Sequence, residues 1–462
     1  MISRQIAGMA LGPLIFILII FSDLEGMSWE AKAVAAGTAW IACWWLTEAI
    51  PIPATSLLPI ILFPLLGAIE VGKVTAEYGN QIIFLLIGGF FIAITMEKWR
   101  LHIRIALNIV KAIGTSPRRT IAGFMAATAF ISAWISNTAT AMMMVPIATA
   151  IIYQASKNGE DKNFNTAIML SVAYAASIGG VATLIGTTPN LIFAGIYRTF
   201  YGREITFIEW ASFGVPLALF ILVACWVYLV YIAYPPRISS LGEKIEEEIA
   251  LLGKITSQEK KVLSVFLLVA TLWVTRALWG RYLPMIMDSS IAIFGALLLF
   301  LIPAGKGRAL LVWNDAAKLP WDVVLLLGGG LAIAKSFMET GLDSWIAQQL
   351  IFLKPMPAIV IIMAVVTLTL FLTEITSNTA TATIIMPVTA SLAAALGMEP
   401  LGILIAVAMS SSLAFMLPVA TPPNAIVFGT GYVTIPQMAR AGIWMNLFCI
   451  AIITLFITYR TV

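Results

Sequence analysis

The sequence predicts an all-α polytopic membrane protein of about eleven transmembrane helices plus two re-entrant hairpins, built as inverted repeats. Three observations predict it. Of the 462 residues, 60% are hydrophobic and 11% are charged, whereas soluble domains carry about 25% charged residues. Apolar runs of about 20 residues, long enough to cross a bilayer, recur along most of the chain. The pentapeptide Ser-Asn-Thr-Ala-Thr occurs twice inside such apolar stretches, at 136–140 and 377–381, 241 positions apart.

Taken in order, spans are expected near 6–21, 29–49, 53–70, 81–98, 164–196, 211–233, 260–279, 289–303, 321–340, 400–430 and 441–458. The first run lacks a small-residue cleavage site and leads into further spans, so no cleavable signal peptide is expected. Segments 120–155 and 356–396 are each too long for one span. Each has a polar break near its middle and a proline just beyond, Pro146 and Pro387. Such a break suits a hairpin that enters the membrane and returns, because irregular backbone is tolerated there only when buried in protein or facing water. The basic stretch Lys98 to Lys111, which contains the single histidine His102, reads as amphipathic and lying along the inner surface. Residues 235–258 are the most charged segment and read as a cytoplasmic linker with a short amphipathic helix. The domain division is then 1–70 for N-terminal helices, 71–234 for the first repeat, 235–258 for the linker and 259–462 for the second half.

With the N-terminus inside and both hairpins re-entrant, 18 of the 27 Lys and Arg residues fall on the cytoplasmic side, as the positive-inside rule expects. A shift of 241 also places Gly88-Gly89 on Gly329-Gly330 and Pro146 on Pro387. Further on, GTTPN at 186–190 resembles ATPPN at 420–424, at a shift of 234. The first hairpin opens from inside and the second from outside, so the repeats are inverted. Inverted repeats with interrupted helices are the signature of secondary transporters, whose site lies near the midplane at the interruptions.

The bland account of Ser-Asn-Thr is capping, since a hairpin tip leaves helix-end groups unpaired and these side chains bond local backbone. Capping accepts Ser, Thr, Asp or Asn interchangeably, so it does not demand identity over five residues at symmetric positions. The functional account uses the same geometry. Helix N-terminal amides attract anions. Free carbonyls with Ser, Thr and Asn oxygens suit a hard monovalent cation such as sodium. In the second half, Pro422-Pro423 removes donors and disfavours helix at the preceding residue, freeing carbonyls near Ala420 and Thr421. In the first half Thr188 stands where a proline would be, while Gly186 and Pro189 keep the break. Each half then holds a cation between its Ser-Asn-Thr tip and its Thr-Pro-Asn break, with an anion between the two tips. No arginine adjoins either motif, so substrate charge is met by amide dipoles, hydroxyls, Asn side chains and bound cations. This predicts a cation-coupled anion symporter whose substrate site is incomplete without the cation.

Other classes recede. A net charge of +4 gives no nucleic-acid footprint. Cys43, Cys225 and Cys449 lie in apolar segments and read as small hydrophobes, not as disulfide or metal partners. One histidine, no H-E-x-x-H motif and no paired aspartates in the spans argue against an enzyme. Glu374 lies three residues before Ser377, and its repeat counterpart is Ala133. It either tunes a cation or proton site, the default for an intramembrane carboxylate, or reaches water or a structural partner. Glu48 reads as a membrane boundary or a domain contact. Lys335 snorkels or pairs with Glu339, with substrate attraction as the alternative. The glycine pairs read as close helix packing.

The segment SSSLAFMLPVATPPNAIVFGTGYV, Ser410 to Val433, resembles the sodium:sulfate signature of the divalent anion/sodium symporter family. Both Ser-Asn-Thr motifs and WWLTEAIPIPATSLLPI, Trp44 to Ile60, match as well, and the resemblance covers nearly the whole chain. It implies a homodimer of eleven-helix protomers in the plasma membrane, with the N-terminus cytoplasmic. Residues 1–70 would be scaffold helices, and a transport domain would move by an elevator motion. By motif, one sodium site would use Ser132, Ser136, Asn137 and Gly186, and the other Thr373, Ser377, Asn378 and Ala420. Ser132 and Thr373 also fall 241 apart. Substrate contacts would come from Asn137, Thr138, Asn378 and Thr379, with Thr187, Thr421 and Pro422 nearby. No Lys, Arg or His occupies these positions, which favours at least two Na+ per protomer over sodium-independent exchange. The leading expectation is sodium-coupled uptake of succinate, malate or fumarate. Sulfate symport and sodium-independent dicarboxylate exchange are the alternatives within the family, and an anion channel is the alternative outside it.

Overall fold

The computed structural model describes residues 2–114, 116–156, 161–238, 250, 252–305 and 307–461. The first half contains α1 (Ile2–Phe21), α2 (Trp29–Thr47), α3 (Ile52–Thr55), α4 (Leu58–Leu65), α5 (Val71–Ala76), α6 (Gln81–Lys98) and α7 (Leu101–Ile113). It continues with α8 (Pro117–Ser132), α9 (Asn137–Ser156), α10 (Lys162–Gly180), α11 (Thr188–Tyr201) and α12 (Phe207–Val227), the last extended by a π turn, Tyr228–Ala233. The second half contains α13 (Ser257–Trp279), α14 (Asp288–Leu301), α15 (Trp313–Ala316), α16 (Trp321–Thr340), α17 (Leu342–Leu350) and α18 (Ala358–Thr373). It ends with α19 (Asn378–Leu396), α20 (Pro400–Ser410), α21 (Pro422–Gly429) and α22 (Ile435–Thr461). Among the described residues the strands are confined to one small hairpin, Pro303–Gly305 with Arg308–Ala309.

Local chemistry sets the helix starts. Ser28, Asn80 and Asp161 side chains accept from amides in the first turns of α2, α6 and α10. Thr256 and Glu259 form a capping box at α13. Among the described residues, seven helices are long and apolar enough to cross a bilayer alone, and the sharply bent 342–353 and 358–373 pair makes an eighth. Of the remaining expected spans, those at 29–49 and 289–303 are the single helices α2 and α14, and three are broken. The span expected at 53–70 is α3 and α4, that at 164–196 is α10 and α11, and that at 400–430 is α20 and α21. In each case a proline occupies the first turn of the second piece, where its missing N–H costs nothing. The two long polar-centred segments divide as expected, α8 from α9 at 133–136 and α18 from α19 at 374–377.

Two apolar cores form. One joins α2, α4, α5 and α16 through Val34, Ile41, Trp45, Phe63, Val74 and Phe337. The larger runs through most of the remaining helices. Glycines set the spacing between them. A Cβ on Gly329 would stand 2.5 Å from the Ser56 carbonyl oxygen, and one on Gly330 2.6 Å from Thr383 of α19. Helix α16 therefore lies against the N-terminal helices on one side and α19 on the other, which is the packing role read from the sequence. Lys335 pairs with Glu339 at 3.3 Å, and Glu339 with Lys73 at 2.6 Å. Glu48 is exposed at the end of α2. Helix α7 is amphipathic, with His102 buried beside the Met96 carbonyl and Arg104 paired with Glu259 of α13 at 2.7 Å. The three cysteines are free. The amphipathic helix expected in the linker falls on residues 239–249 and 251, outside the described residues.

Candidate functional site

Helix α8 stops at Ser132 and α9 starts at Asn137. The fully buried Ser132 Oγ lies 2.6 Å from Asn137 Oδ1 and 2.7 Å from the Ala176 carbonyl of α10. In the second half Thr373 Oγ1 lies 2.7 Å from Asn378 Oδ1 and 2.8 Å from the Ser411 carbonyl. Each cluster brings three oxygens together around one hydroxyl proton. Such an excess of lone pairs over protons is what a hard cation is bound by. The hydroxyl, the amide oxygen and the carbonyl would all become acceptors once a cation displaced the shared hydrogen bonds.

The helix breaks are framed as a matching pair. Asn190 Nδ2 donates to the Gly180 and Thr183 carbonyls at 3.1 and 2.7 Å. Asn424 Nδ2 donates to the Ala414 and Leu417 carbonyls at 3.2 and 3.0 Å. All three positions are related by the shift of 234. The backbone repeats too, with φ, ψ of −146°, 148° at Thr187 and −142°, 149° at Thr421. Thr188 in place of a proline therefore leaves the first break with the contour of the second. Gly186 is required there, because a Cβ would lie 2.4 Å from the Gly180 carbonyl oxygen.

The halves cross. Helix α9 packs against α21, and α19 packs against α11. The Ser-Asn-Thr helix of each half thus lies on the Thr-Pro-Asn helix of the other. Within the first half a Cβ on Gly180 would meet Asn137 Oδ1 at 2.5 Å, so tip and break are in contact. Asn137, Thr138, Asn378, Thr379 and Thr187 are half-buried, Thr421 is buried and Pro422 is exposed. Ser136 caps α9 by accepting from the Ala139 amide at 3.3 Å, so the capping account holds there. Ser377 makes no side-chain cap to α19. The trailing Thr381 is fully buried, with its hydroxyl 2.6 Å from that of Thr376, and serves hairpin packing.

The family model described as the sodium:sulfate symporter transmembrane region matches residues 4–461. The chain belongs to this sodium:sulfate symporter family. The sodium-dependent dicarboxylate transporter SdcS of Staphylococcus saprophyticus is 45% identical over 472 residues, covering 98% of this chain and 91% of that relative. The protein of the same name from a Staphylococcus aureus strain is 45% identical over 473 residues, with the same coverage. Among solved structures, the fold resembles the Alcanivorax borkumensis YdaH transporter, with a TM-score of 0.62 at 14% identity over 91% of this chain and 97% of that one. It also resembles Neisseria gonorrhoeae MtrF, with a TM-score of 0.58 at 12% identity over 98% of this chain and 94% of that one.

In this member of the symporter family the sequence reading passed over Asn190 and Asn424 as clamps of the breaks. Their signal is the shared final Asn of GTTPN and ATPPN. Glu374 has found a structural partner. It is 3% exposed and accepts from the Phe415, Met416 and Leu417 amides and from Asn446 Nδ2. A cavity of about 630 Å³ lies between the π turn that ends α12 and the start of α22. Its lining includes Tyr228, Tyr234, Gln437 and Arg440 and none of the candidate site residues.

Proposed function

We propose that this chain is a secondary active transporter that carries four-carbon dicarboxylates such as succinate, malate and fumarate into the cell together with sodium. The observation that carries the reading is the pair of three-oxygen clusters, Ser132–Asn137–Ala176 and Thr373–Asn378–Ser411, set beside helix breaks of matching geometry. The names of the relatives, sodium-dependent dicarboxylate transporters at 45% identity, support both cation and substrate. Each protomer takes at least two sodium ions. One is held by Ser132, Ser136, Asn137 and the Gly186 carbonyl, the other by Thr373, Ser377, Asn378 and the Ala420 carbonyl. The dianion rests between the tips, one carboxylate at Asn137 and Thr138 and the other at Asn378 and Thr379, with Thr187, Thr421 and Pro422 bordering it.

The mechanism follows from charge. A dianion entering an apolar protein interior without counter-charge pays a large desolvation cost. Two cations at the tips cancel it and turn both Asn side chains toward one arrangement, so the substrate site forms when sodium binds. Sodium-free substrate then binds weakly, and the coupled complex is nearly neutral overall. The helices 1–70 act as scaffold, and the crossed helices that carry the tips move as the transport unit in an elevator motion. The protein works as a homodimer in the plasma membrane with its N-terminus in the cytoplasm.

Labelled succinate uptake into proteoliposomes under an inward sodium gradient tests this reading. Accumulation above the external concentration is expected, with competition by malate and fumarate. Uptake that ignores the sodium gradient would refute it. The family description names sulfate, so sulfate symport is the second reading; it predicts that sulfate outcompetes succinate.

A further inference from the structure

The two halves differ at one corner of the repeated frame. In the first half α10 stays helical to Gly180, and the Ala182 amide bonds within the turn to the Gly179 carbonyl at 3.0 Å. The corner is tied to the hairpin by a neutral bond, Thr183 Oγ1 donating to the Ala133 carbonyl. In the second half α20 stops at Ser410, although a shift of 234 from Gly180 leads to 414. The amides of Phe415, Met416 and Leu417, the counterparts of 181–183, turn instead to Glu374, the counterpart of Ala133. Phe415 N lies 2.8 Å from Oε1, Met416 N 3.0 Å from Oε1 and 3.2 Å from Oε2, and Leu417 N 3.2 Å from Oε2. Asn446 Nδ2 adds a fourth donor at 2.7 Å.

Three successive amides facing one carboxylate make an anion nest. No Lys, Arg or His among the described residues forms an ion pair with Glu374. A carboxylate that is 3% exposed and meets only dipoles leaves net negative charge in the interior, and such charge favours a nearby cation. Glu374 directly follows Thr373, and the segment it holds leads through Leu417, whose carbonyl accepts from Asn424 and Ala420, to the Ala420 carbonyl. The first half has no carboxylate at the equivalent place.

We infer that Glu374 is a positioning residue that fixes the second helix break and makes the Thr373–Ser377–Asn378–Ala420 cation site the tighter of the two, so that it fills first. This rests on the sodium-coupled reading above. Glu374 does not bind the cation itself. It holds the 415–417 backbone in place and supplies a formal charge that the first site lacks.

The test is sodium titration of succinate uptake by the reconstituted full-length protein. Glu374→Gln should raise the sodium concentration for half-maximal uptake about tenfold, with maximal uptake at saturating sodium largely kept. Glu374→Asp, which keeps the charge, should stay within about threefold of wild type. An unchanged sodium dependence in Glu374→Gln, or equal damage by Asp and Gln, would overturn the charge role. The order of filling is read independently, on proteins that retain Glu374. Thermal stability of the purified protein is followed against sodium without substrate. The low-sodium rise should vanish in Thr373→Val and persist in Ser132→Ala, and the reverse pattern would overturn the inference. A wild type indifferent to sodium in both assays would instead refute the sodium-coupled reading itself.

Discussion

Asn137 and Asn378 each sit where a tip, a hydroxyl and a carbonyl meet, within 2.7 Å of the Ser132 or Thr373 hydroxyl. In the proposed site each faces a cation and a substrate carboxylate at once. Asn137→Ala and Asn378→Ala should therefore weaken sodium and succinate together, by about tenfold each, or ~1.4 kcal/mol. Uptake titrated separately in sodium and in succinate checks this, and loss of one affinity alone contradicts the shared ligand. Gly180→Ala probes the same atom from the other side. Its Cβ would stand 2.5 Å from Asn137 Oδ1, and overpacking of this kind costs about 1–3 kcal/mol. Reduced uptake with normal membrane insertion is the expected outcome. At this scale the sequence was most legible where residues repeat letter for letter. Glu374 was ambiguous because three of its partners are backbone amides 41 to 43 residues away, which leave no trace in side-chain identity, and the fourth, the Asn446 side chain, lies 72 residues away.

The helix breaks are elements in their own right. Proline marks where each second helix begins, so α11 and α21 are legible as interruptions in the sequence alone. Their fastening was not visible, because a single Asn that bonds two carbonyls looks like any turn residue. Asn190→Ala and Asn424→Ala each take a donor from two carbonyls and leave that of Thr183 or Leu417 with only the amide three residues on. A cost of about 1–3 kcal/mol is expected for each, seen as a lowered melting temperature of the purified protein. Because the two clamps share donors, distances and backbone angles, the two losses should be similar in size. The unequal ends of α10 and α20 lay beyond the sequence for another reason. The amides beyond the end of α20 bond a carboxylate 36 residues upstream of Ser410, and no local pattern in α20 announces it.

Across the whole molecule, inverted repetition predicts a functional centre divided between halves, and the proposed site follows that expectation. It did not tell that the halves cross, α9 on α21 and α19 on α11. Helix pairing is set by shape, and small-residue faces such as Gly328 to Gly330 occur on several helices. A divided centre should respond to its ligands as one unit. Succinate at 100 times its dissociation constant should stabilise the purified protein by about 2.7 kcal/mol in sodium, and far less when choline replaces sodium. Equal stabilisation in both salts would contradict coupling. The same screen across malate, fumarate, citrate and sulfate ranks the substrates. The crossed packing also bears on how the chain is made. The first Thr-Pro-Asn helix meets its partner only after α19 has been synthesised, whose Asn378 follows Asn190 by 188 residues, and the first Ser-Asn-Thr helix only after α21, whose Asn424 follows Asn137 by 287 residues. At roughly 5–20 residues per second, the ribosome needs about 9 to 38 s for the first distance and about 14 to 57 s for the second. Throughout those intervals α9 and α11 sit in the membrane without the second-half helices that pack on them, so the nascent first half depends on whatever insertion machinery shelters it until the second arrives.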